Sequence, residues 1–233
     1  MGNGTDVATD GRHRVVDTMN YIIDHIPRTT PHNRRPGIAM LPQYITIHST
    51  GNPNSTARNE RGWLTNPSNT RTASWHICVD EKEAVEAIPL TEVAWHAGDG
   101  NGQGNRASIG IEICESGNRA KTLENAVKLV AKMLKARGWG VDRLRRHYDW
   151  SRKSCPRILQ PNNWAGWEQF KDAVQREISG GGNVTQDKNT PSAWAKEAWD
   201  WAKKEGLLDG TRPKDNLTRE EFAVVLKKLV DKK

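Results

Sequence analysis

Three short stretches of the chain alternate apolar and polar side chains with the two-residue period of a strand. In Tyr44-Ile-Thr-Ile-His48, Ile45 and Ile47 fall on one face and Tyr44, Thr46 and His48 on the other. In Ser108-Ile-Gly-Ile-Glu-Ile-Cys114, three isoleucines oppose Gly110, Glu112 and Cys114. Trp75-His-Ile-Cys-Val79 groups Trp75, Ile77 and Val79 and leaves His76 and Cys78 opposite. Each stretch thus offers one face to a core and a second face carrying His or Glu. Two helices accompany them. One is predicted from Thr18 to Ile26, ending before Pro27. The other runs from Leu123 to Arg137, with Ala126, Val127, Val130, Met133 and Leu134 at helical spacing, and stops at Gly138. The mixture predicts an α/β fold, a central mixed β-sheet flanked by helices.

The pattern changes at Ser179-Gly-Gly-Gly-Asn183, where composition reads as a flexible linker. Three parts follow: residues 1–178, a Gly-rich linker 179–189, and a small all-α segment 190–233. In the last, Thr190-Pro191 starts a helix with Trp194, Ala198, Trp201 and Ala202 at i, i+4, i+7 and i+8. A turn over 207–210 follows, then a capping box Thr218-Arg-Glu-Glu221 and a stripe of Phe222, Val225, Leu226 and Leu229. Two short helices bury little surface alone, so this unit must pack on something or pair with copies of itself.

Composition narrows the class. No run approaches the ~20 apolar residues of a membrane span. The net charge of +7 favours anionic partners: nucleic acid, anionic lipid, or phosphate-rich wall polymers. The charge is dispersed, with 11 basic and 9 acidic residues from Asn183 onward. A nucleic-acid arm would cluster it, so no nucleic-acid partner is expected. Three cysteines (Cys78, Cys114, Cys155) are too few for a disulfide framework and fit synthesis in a reducing compartment. The opening residues show no secretory pattern, which predicts cytoplasmic synthesis and export by other means. Ten tryptophans against two phenylalanines are unusual, and most read as packing residues.

Of seven histidines, His13, His25 and His32 sit in polar surroundings and read as surface residues. His48, His76, His96 and His147 lie in segments of strand or turn character. His147 and Cys155, eight residues apart with Pro156 closing the segment, are spaced to place an imidazole nitrogen and a thiolate on one ion. With His48 from a separate strand they make three zinc donors and leave a fourth position for water, the pattern of a catalytic site. On spacing alone, a surface histidine beside a buried cysteine accounts for the pair better.

Five segments in order resemble the motifs of N-acetylmuramoyl-L-alanine amidases, the family of phage endolysins, bacterial autolysins and peptidoglycan-recognition proteins. They are Tyr44-Ile-Thr-Ile-His-Ser-Thr-Gly51, Ser74-Trp-His-Ile-Cys-Val-Asp80, Ala94-Trp-His-Ala-Gly-Asp-Gly100, Ser108-Ile-Gly-Ile-Glu-Ile-Cys114 and the stretch from His147 to Lys153-Ser-Cys-Pro156. The resemblance covers about residues 35–178. It implies one zinc ion held by His48, His147 and Cys155, Glu112 as general base, and Lys153 stabilising the developing oxyanion. It also places Trp75, His76, Trp95 and His96 along the substrate cleft. Trp75 stands where some phage members use a catalytic Tyr; an indole cannot supply that proton, so Glu112 must fill any such role. The implied substrate is bacterial peptidoglycan, cut between N-acetylmuramic acid and L-alanine. A phage lysin of a Gram-positive host, crossing the membrane through a holin, fits best; a host autolysin and a non-catalytic recognition module are the alternatives. The segment from Ser192 to Phe222 resembles a single surface-layer homology repeat, which implies binding to secondary wall polymers.

Overall fold

The computed structural model describes residues 19–180, 191, 195–211 and 219–231. Its elements run β1 (Asn20–Ile23), β2 (Tyr44–Ser49), α1 (Ala57–Trp63), β3 (Ile77–Val79), β4 (Glu83–Glu86), α2 (Gln103–Arg106), β5 (Ser108–Ile113), α3 (Arg119–Lys135), β6 (Leu144–Arg146), α4 (His147–Ser151), α5 (Pro161–Ile178), α6 (Lys196–Lys204) and α7 (Arg219–Val230). The six strands form one mixed sheet in the order β1-β4-β3-β5-β2-β6. Strands β3, β5, β2 and β6 are parallel, and β4 runs antiparallel to β3. The parallel block therefore ends all four of its strands at one edge.

The isoleucine faces read from the alternation are the core. Ile45, Ile47, Ile77, Ile109, Ile111 and Ile113 are fully buried against Leu129, Val130 and Leu134 of α3 and Trp167, Phe170 and Val174 of α5. Each such isoleucine contributes about 2 kcal/mol by leaving water. Helix α3 starts at an Asn118 cap, whose side chain accepts from Lys121 N, and the chain turns away at Gly138, where φ is 64°. The opposite face is also covered. A second apolar cluster of Ile26, Leu64, Trp75, Ile88 and Ala94 lies there, so Thr46, His48, His76 and Ser108 are buried polar groups rather than an open surface.

Two expectations need correction. Residues 20–23 form β1, not a helix; Tyr21, Ile22 and Ile23 are β-formers, and the strand finds parallel pairing with β4. (Thr18 lies outside the described residues.) Trp75 does not share a face with Ile77 and Val79: strand β3 begins only at Ile77, and Trp75 packs in the second cluster with Cys78. Six further elements were not anticipated from the sequence: β4 and β6 are only four and three residues long, α2 and α4 only four and five, α1 is almost wholly polar, and α5 begins at a kink over 162–164. Helices α6 and α7 lie within the tail, and Gly206 (φ 66°) follows the first. Trp201, Phe222, Leu226 and Leu229 are exposed on them. The predicted linker from Gly181 onward and the Thr218 cap lie outside the described residues.

Glu92 fastens the 26–40 segment to the connection that follows β4. Its carboxylate accepts from Arg28 Nη2 (3.0 Å), Arg35 Nε (2.8 Å) and Arg35 Nη2 (2.9 Å). The Arg35 hydrogen bonds, outweighing the opposing effect of burial, hold its pKa at about 2, well below the ordinary carboxylate value. A depressed folded pKa stabilises above the unfolded pKa and loses that contribution as pH falls. Glu92→Gln should therefore lower stability by about 2 kcal/mol at neutral pH, and the gap should close between about pH 5 and pH 2. Thermal melts of both proteins across that range check it; a gap independent of pH would refute the assignment.

Candidate metal centre

The parallel strands deliver side chains to their common carboxyl edge, the usual place for a site in such sheets. His48 is the penultimate residue of β2, and register pairs it directly with Glu112 on β5. His147 is the first residue of α4, immediately after β6. Asp149 fixes that strand-to-helix corner by accepting from Arg146 N at 2.7 Å and from the Arg146 guanidinium. Cys155 follows on a loop tied at two points. Its carbonyl accepts from Tyr148 N (3.1 Å), and Arg157 N donates to Ser49 Oγ (3.1 Å). The Arg157 guanidinium also grips Glu115, beyond the end of β5.

These elements bring together the three predicted donors. His48 Nδ1 and His147 Nδ1 are 3.0 Å apart, Cys155 Sγ is 3.8 Å from His48 Nδ1, and all three atoms lie within 4.8 Å of one another. All three residues are buried. Burial and neighbouring cationic groups hold both imidazoles neutral, with His147 at about 4. Burial, with help from Glu112, pushes the Cys155 thiol up to about 12, against the Ser49 amide and Lys153, which favour the thiolate. Two neutral imidazoles and a thiol aimed at one point can hold a divalent ion, which deprotonates a coordinated thiol outright. Three donors leave one coordination position open.

The other predicted residues divide. Glu112 lines the same cleft with Oε1 3.9 Å from His48 Nδ1, while its buried Oε2 has no hydrogen-bond partner among the described residues. Burial, reinforced by Glu60, pushes its carboxyl up to about 8. Lys153 is exposed on the cleft wall. Trp75, Trp95 and His96 line the cleft, whose volume is about 490 Å³. His76 does not. It is fully buried, its Nε2 bonds Glu92 O (2.8 Å), and its Nδ1 accepts from Gly110 N (2.9 Å). Both ring nitrogens are spent on backbone, so His76 is a structural histidine and not a substrate contact. His96 has both nitrogens engaged too, with His48 Nε2 (3.0 Å) and Ser108 O (3.1 Å). The cleft also takes in Glu60 and Trp63 from α1, and Asn69 and Arg71 from the loop after it. No periodicity marked them; a capping box at Thr56, read in advance, would have placed the helix.

Known proteins align with this arrangement. The family described as N-acetylmuramoyl-L-alanine amidase matches residues 38–158. The chain is 45% identical over 165 residues to the N-acetylmuramoyl-L-alanine amidase XlyB of Bacillus subtilis (strain 168), covering 68% of this chain and 50% of that protein. It is also 45% identical to CwlA of the same organism, over 67% of this chain and 58% of the relative. The chain thus spans little more than half the length of these relatives. Among solved structures, the catalytic domain of XlyA matches with a TM-score of 0.61 at 43% identity, over 67% of this chain and 99% of that one. PlyL matches with a TM-score of 0.60 at 34% identity, over 67% of this chain and 98% of that one.

One consequence is direct. Wild-type protein should bind one divalent zinc ion per chain with release of a proton, and Cys155→Ala should weaken that binding at least about 100-fold without unfolding the metal-free protein. Calorimetric titration in two buffers of different ionisation enthalpy reads both effects. Undiminished affinity in the variant would remove Cys155 from the donor set.

Proposed function

Because the chain belongs to the N-acetylmuramoyl-L-alanine amidase family, we propose that it is a zinc-dependent peptidoglycan hydrolase of endolysin type. It cleaves the amide between N-acetylmuramic acid and the L-alanine of the stem peptide. The observation that carries this reading is the triple convergence of His48, His147 and Cys155 on the buried wall of the cleft. Two nitrogens and one sulfur suit zinc, a borderline-soft ion that prefers tetrahedral N/S coordination. Held there, zinc supplies Lewis acidity to the scissile carbonyl and to water.

The chain's own groups do the rest. Glu112, whose buried Oε2 has no hydrogen-bond partner among the described residues, takes a proton from the attacking water once a bound cation offsets the burial that raises its carboxyl to about 8, and returns it to the leaving nitrogen. Lys153 places a cation at the cleft wall where the oxyanion develops, worth a few kcal/mol of barrier. Trp75 and Trp95 offer flat apolar surface to the substrate. A non-catalytic recognition role would need none of this donor set.

We assign residues 1–178 to the catalytic domain and 179–189 to a linker. Residues 190–233 form a wall-binding segment of surface-layer homology type that takes anionic secondary wall polymers. The exposed apolar residues of α6 and α7 support a segment that works against another surface. A phage or prophage origin, with release through a holin, accounts for a lysin made in the cytoplasm.

Digestion of purified muropeptides, read by mass spectrometry, should release stem peptides with a free N-terminal alanine. New reducing sugar ends or internal peptide cuts would contradict the assignment. Glu112→Gln should keep its zinc and lose about 100-fold or more of the turnover. Retained turnover would move the proton acceptor elsewhere.

A further inference from the structure

The four buried histidines form one row. Ring centroids lie 5.7 Å apart from His76 to His96, 5.0 Å from His96 to His48, and 4.7 Å from His48 to His147. Hydrogen-bond polarity along the row is set from one end. Ser108 O is a carbonyl and only accepts, so His96 carries its hydrogen on Nε2, 3.1 Å away. The neutral His96 ring then has a bare Nδ1, and His48 Nε2, 3.0 Å from it, must be the donor. That leaves His48 Nδ1 without a hydrogen, facing the donor cluster.

The next residue does the same for the second histidine. The Ala97 backbone hydrogen-bonds the His147 ring in the sense that favours a ring N–H, and His147 Nε2 lies on the Gly98 side, 3.4 Å from where a Gly98 Cβ would stand. Since His147 Nδ1 is the nitrogen turned to His48 Nδ1 at 3.0 Å, the hydrogen given to Ala97 is assigned to Nε2, which leaves Nδ1 bare. The 96–97 segment is itself held rigid. Asn105 Oδ1 accepts from both His96 N and Ala97 N at 2.8 Å, and Asn105 Nδ2 donates to Gly100 O at 2.9 Å. The ring of His96 lies so close to β5 that a Cβ at Gly110 would come within 2.7 Å of it.

We propose that the His96–Ala97 segment is a clamp that fixes the tautomers of both histidine donors, so that His96 is a positioning residue for the metal rather than a substrate contact. This rests on the metal reading of the His48, His147 and Cys155 cluster. Outer partners that orient a ligating histidine are worth about 10- to 100-fold in metal affinity.

The test joins a spectroscopic measurement on the wild type to two variants. Long-range ¹H–¹⁵N NMR of the metal-free wild type should show His48 protonated on Nε2 and bare on Nδ1. His96→Leu removes the acceptor and should weaken zinc binding, measured by chelator competition, about 10- to 100-fold. His96→Asn puts an amide oxygen where Nδ1 stood and should recover most of that loss, which a merely structural role would not produce. A His48 proton on Nδ1, zinc affinity unchanged in the Leu variant, or equal losses in both variants would overturn the clamp. Should His96→Leu fail to fold, the wild-type tautomer and the Asn variant still decide. A wild type that takes up no zinc sinks the metal reading itself, which is a separate outcome from a zinc-binding wild type with the wrong tautomer.

Discussion

Two imidazole nitrogens, His48 Nδ1 and His147 Nδ1, face each other 3.0 Å apart in a buried pocket with a thiol beside them. Lone pairs aimed at one point repel unless a proton or a cation lies between them. Burial disfavours a second, charging proton on either ring, and the proposed tautomers put each ring's own hydrogen on Nε2, away from this contact. The arrangement therefore favours a divalent ion. The rest of the sheet and its helices form the scaffold that keeps these groups in place.

That scaffold is economical in chain. Parallel pairing of β5, β2 and β6 sets His48 beside Glu112 and puts His147 one residue beyond the adjacent strand. Helices α3 and α5 cover only the isoleucine face, so the other face is left for loops and α1. Those loops bury the polar row while leaving a cleft at the strand ends. Arg157, by holding both Ser49 and Glu115, couples the cysteine loop to the ends of β2 and β5. The carboxyl next to the donors, Glu112, keeps a buried Oε2 that has no hydrogen-bond partner among the described residues.

Much of this was legible before the structure. Alternation in Tyr44–His48 and Ser108–Cys114 marked both the core face and the functional face, because a half-covered strand must alternate. The donor trio needed a resemblance to be singled out, since His147 and Cys155 are eight residues apart and spacing alone does not say that they meet. The role of His96 was out of reach. It depends on a carbonyl, Ser108 O, and on a missing side chain at Gly110, and neither leaves a signature in residue type. His76 was misjudged for a related reason: whether a histidine touches substrate or backbone is decided by what folds over it. The strand at 20–23 was misread because a four-residue edge strand is too short to show a period, and its identity comes from its partner β4.

X-ray absorption of the zinc-loaded protein tests the account most directly, because it reads the donor atoms themselves. The account predicts one sulfur at about 2.3 Å, two imidazole nitrogens at about 2.0–2.1 Å and one further light atom completing a tetrahedron. A shell without sulfur, or one of six oxygen and nitrogen donors, would contradict it.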